Sequence, residues 1–202
     1  MATRENKSLS AFKSRLVGGG ARPNLFEVEL TTFPDAASGW DNNAADRFRF
    51  LCKSAALPAS NIAQIDVPFR GRIFKVAGDR TVDTWTVTVI NDENFVLRYA
   101  FEGWVESMAR LSNNMGATDP DAYMTGATVY QLGRGKELSS RDNSGQNNAV
   151  LAQYNFIDIF PTNVSQIDLS YDNGDQIEEF TVEFQVNSWN RGQLSEPTEE
   201  ET

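Results

Sequence analysis

The sequence predicts a mainly β fold, an antiparallel β-barrel or sandwich with one inserted α-helix at about residues 92–111. Three observations predict it. Residues 177–189 alternate apolar and polar side chains with a period of two, the mark of a strand with one wet face. Similar runs recur at 24–30 and 84–90, set off by clusters of Gly, Pro, Asn and Asp. Only residues 92–111 carry a convincing helical period.

The elements follow in chain order. Residues 1–23 read as a flexible arm, polar at first and then carrying Gly18-Gly19-Gly20 and Pro23. In 24–30, Phe26, Val28 and Leu30 alternate with Glu27 and Glu29. Residues 32–43 read as a loop around Pro34 and Gly39. Residues 47–56 read as a second strand, with Phe48, Phe50 and Cys52 on one face. That places Cys52 as a small core residue and not a nucleophile. Residues 67–77 read as a third extended segment, in which Gly71 marks a bulge or bend. In 84–90, Trp85, Val87 and Val89 alternate with three threonines.

The helix should begin at about Asp92 or Glu93, with Asn91 or Asp92 as its cap. Leu97, Phe101, Trp104, Met108 and Leu111 then share its core face. Residues 112–147 form an irregular insertion with one short strand near 128–132. Such a long irregular stretch inside a domain is often functional. Residues 149–160 read as a strand covered on both faces and 165–171 as a short strand. Asp172-Asn173-Gly174 is a turn signal. In 177–189, Phe180, Val182, Phe184 and Val186 oppose Glu179, Thr181, Glu183 and Gln185. Residues 191–202 form an acidic, disordered tail. One domain, 24–190, is expected between the arm and the tail.

Composition narrows the chemistry. The 202 residues include one cysteine and no histidine, so a Ser-His-Asp triad, a Cys-His dyad and His-based metal sites are excluded. No cofactor, no metal and no catalytic activity is expected. No secretory signal and no membrane-spanning segment is visible. The net charge of −10 repels nucleic acid and anionic membrane in bulk, though it does not exclude a protein that lets DNA pass without sticking.

Several runs, in order, resemble the tail tube proteins of contractile-tailed (myovirus-type) bacteriophages. They are Arg22-Pro23-Asn24-Leu25-Phe26-Glu27-Val28, then Phe50-Leu51-Cys52-Lys53-Ser54-Ala55-Ala56-Leu57-Pro58, then Val67-Pro68-Phe69-Arg70-Gly71-Arg72. The best match is Thr84-Trp85-Thr86-Val87-Thr88-Val89-Ile90-Asn91-Asp92-Glu93, leading to Glu102, Gly103 and Trp104. Tyr154-Asn155-Phe156-Ile157-Asp158-Ile159-Phe160-Pro161 and Phe180-Thr181-Val182-Glu183-Phe184 complete it. The resemblance covers most of 22–190.

The resemblance implies a structural virion protein, assembled in the host cytoplasm, whose copies form hexameric rings stacked into the inner tail tube. The implied partners are the tail sheath protein, the baseplate and tail terminator proteins, and the tape measure protein and phage DNA that pass through the lumen. For such a tube, Glu179, Thr181, Glu183 and Gln185 are candidate lumen-facing residues, as are Glu27 and Glu29. Arg47, Arg49, Lys53, Arg70 and Arg72 are candidate inter-subunit residues that would meet acidic groups of a neighbour. The 22-side arm, the 32–43 loop and the 112–147 segment are candidates for stacking. Three other readings remain at this stage. One is the tube of a related secretion or injection system. Another is a carbohydrate-binding β-module using Trp40 and Trp189. The last is a carboxylate hydrolase using residues such as Asp158, Asp168 and Glu178.

Overall fold

Six antiparallel strands build one strongly curved sheet in the computed structural model, which describes residues 8–16, 19–31, 34, 37, 39–134, 150–172 and 174–192. The elements run α1 (Leu9–Arg15), β1 (Phe26–Leu30), α2 (Asn42–Leu51), β2 (Cys52–Ala55), β3 (Asn61–Phe69) and β4 (Arg72–Thr81). They continue with β5 (Trp85–Ile90), α3 (Val96–Met108), α4 (Pro120–Tyr123), β6 (Thr125–Leu132), β7 (Val150–Val164) and β8 (Glu179–Arg191). The sheet order is β1-β6-β7-β8-β5-β2, while β3 and β4 pair only with each other.

The period of two decides what each strand buries. Phe180, Val182, Phe184 and Val186 of β8 point inward and are buried. They pair across the ladder with Val89, Val87 and Trp85 of β5, and with Ile159 of β7. Val28 and Leu30 of β1 and Val129 and Ala127 of β6 extend the same face. The edges β1 and β2 approach each other, and α2 packs against β1, β2 and β5 across that seam. The result is a nearly closed barrel-like sheet whose interior is the core.

Aromatic rings fill that interior. Phe101 lies 5.0 Å from Trp40, 5.8 Å from Phe48 and 6.0 Å from Phe184, ring centre to ring centre, all edge-on or nearly so. Trp104 adds contacts to Trp40 and Phe184 at 6.1 Å. Its indole N–H donates to the Tyr123 carbonyl at 2.8 Å, so burial leaves no orphan donor. Of the predicted stripe on α3, Leu97, Phe101 and Trp104 are buried and Met108 packs at its margin. Leu111 lies beyond the helix end and is exposed. The chain turns there so tightly that a Cβ on Gly116 would overlap the Met108 carbonyl. At the other end the helix starts at Val96, later than the expected start at Asp92 or Glu93: Phe95, at φ 55°, is the N-cap without a side-chain cap bond, and the Asp92 carboxylate accepts from the Val96 amide at 3.1 Å.

Residues 47–51 correct the sequence reading: they finish helix α2, and only Cys52–Ala55 is a strand. The Asp41 side chain accepts from the Ala44 amide at 2.7 Å and caps the helix. Ala44, Phe48 and Leu51 recur at helical spacing toward the core, while Phe50 is exposed. A run that also alternates in twos hid this period.

Other differences are local. The 67–77 segment is not one strand but parts of β3 and β4, joined by Arg70 and Gly71 with φ of 45° and 81°. Two positive φ values in a two-residue turn match the type I′ hairpin geometry, which fits the twist of paired strands. Residues 165–171 form no strand and belong to the loop joining β7 to β8. β7 is not covered on both faces, because Leu151 and Ile157 stay exposed. The short strand near 128–132 begins at Thr125 and is β6, between β1 and β7. Within the arm, Leu9–Arg15 is a helix, capped by Ser8, that buries none of its residues. Residues 135–149 and the tail from 193 lie outside the described residues.

Trp104→Ala would remove the largest fully buried side chain. It is expected to cost about 3–5 kcal/mol of stability, measured as a shift in the denaturant midpoint of the purified chain.

Candidate assembly surfaces

Strand β8 alternates strictly, so Glu179, Thr181, Glu183 and Gln185 lie together on the outer face of the sheet, half-buried among neighbours. On β5, Ile90, Thr88 and Thr86 stand opposite Glu179, Thr181 and Glu183. On β7, Asn163 stands opposite Glu183 and Phe160 opposite Gln185. Glu27 and Glu29 continue this outer face on β1, opposite Tyr130 and Thr128 of β6. The wall is polar and acidic, but two of its carboxylates are paired. Lys53 reaches Glu179 at 2.5 Å, and Arg49 pairs with Glu27. Among the described residues, Glu183 has no ion pair and so carries an uncompensated charge at the centre of the wall.

The five basic candidates do not form one patch. Arg47 and Arg49 lie on α2 and Lys53 on β2. All three have carboxylate partners within the chain, Arg47 through Asp92 at 2.5 Å. Arg70 and Arg72 lie instead at the tip of the β3–β4 hairpin and are exposed.

That hairpin is the surface sequence reasoning missed. The register places Ile65 opposite Val76 and Val67 opposite Phe74, with Phe69 next along the same face. All five are exposed, Phe69 and Phe74 by about two thirds. Asp66, Lys75, Gln64 and Ala77 occupy the other face, with Pro68 and an exposed Ile73 nearer the tip. The hairpin thus carries its larger apolar face with no described residue of its own chain packed over it. The signal was present: reading 67–77 as two paired strands puts its alternate apolar residues on one face. A second missed feature is the 165–178 loop, which exposes Leu169, Tyr171 and Ile177.

The residues behind the other readings are placed differently. Trp40 is buried in the core and Trp189 is half-covered, with the Arg80 guanidinium 4.8 Å from its ring centre. Neither offers a free ring for stacking a sugar. Among the described residues, no group of three Cys, Asp or Glu is placed to hold a metal ion. Nor is any helix among the described residues long and apolar enough to cross a membrane.

Residues 21–192 match the family described as phage tail tube protein. The chain belongs to that family. The tail tube protein gp19 of Enterobacteria phage T4 is 34% identical over 179 residues, spanning 89% of this chain and 94% of its own. The tail tube protein of Serratia phage KSP90 is 26% identical over 169 residues, 82% of this chain and 85% of its own. Solved structures share the fold at low identity. One is the sheath–tube complex of an extracellular contractile injection system, PVC, in the extended state. It has a TM-score of 0.55 at 13% identity and covers 94% of this chain and 100% of that one. Another is the tube-terminating cap of the anti-feeding prophage, with a TM-score of 0.56 at 13% identity, covering 87% and 92%. The fold and role expected from the sequence are thus those of a tail tube protein, a structural, tube-forming component of a phage tail.

For this tail tube protein, Cys52 is a packing residue. It is buried, and burial pushes its thiol up from 9.0 to about 12, only partly offset by the backbone at Ser54. The unfolded chain ionises first, so this group's contribution to stability is lost as pH rises above about 9. At pH 8, a thiol reagent should label Cys52 in denaturant within the mixing time but leave the native chain unlabelled. Fast native labelling would place the thiol at the surface.

Proposed function

We propose that copies of this chain close into six-membered rings that stack into the hollow inner tube of a contractile phage tail, with no catalytic role. The observation that carries this reading is the uncovered apolar face of the hairpin. Each Å² of apolar surface removed from water is worth about 25 cal/mol. Two exposed phenylalanines and three aliphatic side chains on one arm are therefore a strong drive to associate. Identical copies that each use one arm and one receiving surface make heterologous contacts, which close into rings or extend into stacks.

The lumen is assigned to the outer face of β8. DNA presents a dense row of phosphates, and a cationic wall would hold it by releasing counterions. Glu179, Thr181, Glu183 and Gln185 offer no such trap. Tape measure protein and then DNA would move past this face. The sheath would surround the outside, with terminator and baseplate proteins at the two ends. Tail sheath, terminator and baseplate assemblies are the setting of structures with the same fold. Identity of 34% to a phage protein favours a virion tail over an injection system as the setting.

Electron microscopy of the concentrated purified chain, with and without a baseplate seed, tests the assembly. Six-fold rings or tubes with a lumen wide enough for duplex DNA are expected; a monomer under both conditions overturns the reading. Glu183→Lys should leave assembly intact and slow DNA ejection from reconstituted virions. An unchanged ejection rate would remove β8 from the channel wall.

A further inference from the structure

Helix α1 lacks the packing that a helix of its length needs. It has seven residues, is capped by Ser8, and buries none of its side chains. A helix this short is marginal in water unless something packs against it. Leu9, Phe12 and, at the C-cap, Leu16 recur at spacings of three and four, so they form one apolar stripe, and all three are exposed. The hairpin has the converse need: Ile65, Val67, Phe69, Phe74 and Val76 share one face and are exposed.

The topology brings these two features to one end of the sheet. β1 begins at Phe26, which pairs with Gln131 near the end of β6, and Gln131 pairs with Ala152 near the start of β7. Tyr154, two residues on, pairs with Arg191 at the end of β8. β5 begins at Trp85, beside Phe184. The chain just before it continues along β8, where the Arg80 guanidinium lies 4.8 Å from the Trp189 ring centre. The arm that carries α1 and the hairpin therefore leave by the same end, and β1 and β2, which they flank, touch across the seam. Residues 17–25, with Gly18-Gly19-Gly20 among them, link Leu16 to Phe26. Such a link spans at most about 33 Å. It holds α1 near its own hairpin at an effective concentration on the order of millimolar, above that of a second copy in dilute solution.

Resting on the tube reading, we propose that α1 is a strap: in the unassembled chain it folds back over the apolar face of its own hairpin, and joining a tube displaces it. Leu9, Phe12 and Leu16 then cover Val67, Phe74 and Val76. The strap is tethered at its C-terminal end, so that end lies toward the hairpin base. Lys13, in its last turn, approaches the exposed Asp79 and Asp83 and stays away from Arg70 and Arg72 at the tip. A cover made by three side chains opens readily, so the hairpin remains available to a growing tube. Growth needs the strap of one incoming chain to open, whereas a new nucleus needs the straps of several chains open together. The strap therefore delays spontaneous nucleation more than it slows growth.

The test uses the full chain, with and without a baseplate seed, followed by light scattering and electron microscopy. Leu9→Ser with Phe12→Ser removes the stripe at two exposed positions and leaves the core untouched. For a strap docked about two thirds of the time, the variant's unseeded lag should shorten about tenfold or more, while seeded growth quickens by about threefold or less. An unchanged or longer unseeded lag overturns the strap. Docking itself is read in dilute monomer. A chain carrying Lys13→Cys and Val76→Cys should form a disulfide within one chain on treatment with diamide, because buried Cys52 does not compete. That locked chain should not add to seeded tubes until it is reduced. Disulfides only between chains, or none, overturn the strap and leave the tube reading standing. A wild-type chain that forms no tube even on a seed overturns the tube reading and the strap's role with it.

Discussion

The edge-on cluster of Trp40, Phe48, Phe101 and Trp104 against Phe184 is the interaction on which the rest of this protein depends. It holds α2 and α3 inside the curve of the sheet, and the sheet can curve only because something fills it. With the interior full of rings, the polar residues of each strand must face outward. The connections must leave at the two ends of the strands, and α2 is held over the seam between β1 and β2. An acidic outer wall, a hairpin at one end and an acidic loop at the other follow from one packing decision.

The hairpin is where this economy stops. A two-stranded ribbon is marginal in water by itself, and this one keeps its apolar face uncovered. A protein that worked as a monomer would gain by shortening the arm or charging its face. Keeping both strands long, joined through a two-residue turn that requires positive φ at Arg70 and Gly71, makes sense where the cover comes from another copy. The exposed apolar residues of α1, Leu9 and Phe12, raise the same expectation on a smaller scale.

Much of this was legible in the sequence where a single period dominated. β5 and β8 alternate cleanly, and their buried faces followed from that alternation. The helix from Val96 was legible because its apolar spacing of three and four has no competing reading. Residues 47–51 were not, because Phe48 and Phe50 fit a period of two while Ala44, Phe48 and Leu51 fit a helix, and only the Asp41 cap and the seam decide between them. The polar run along β8 was visible as a wall, but its neutralisation by Lys53 at Glu179 is a contact 126 residues apart, which no local pattern carries. Proximity in sequence does not make the five basic residues one patch. The fold uses three within the chain and carries two to the hairpin tip. The hairpin's missing cover was invisible for a different reason: a strand's alternation tells which residues share a face, not whether anything lies over it.

Hydrogen exchange of the hairpin amides, compared between the monomer and the assembled tube, tests the central claim most directly. The account predicts that amides across Val67–Val76 exchange quickly in the monomer and become at least about a hundredfold slower on assembly. The core strands β5 and β8 should change little. Equal exchange of the hairpin in monomer and tube would contradict it, because the apolar arm would then remain in water in the finished structure.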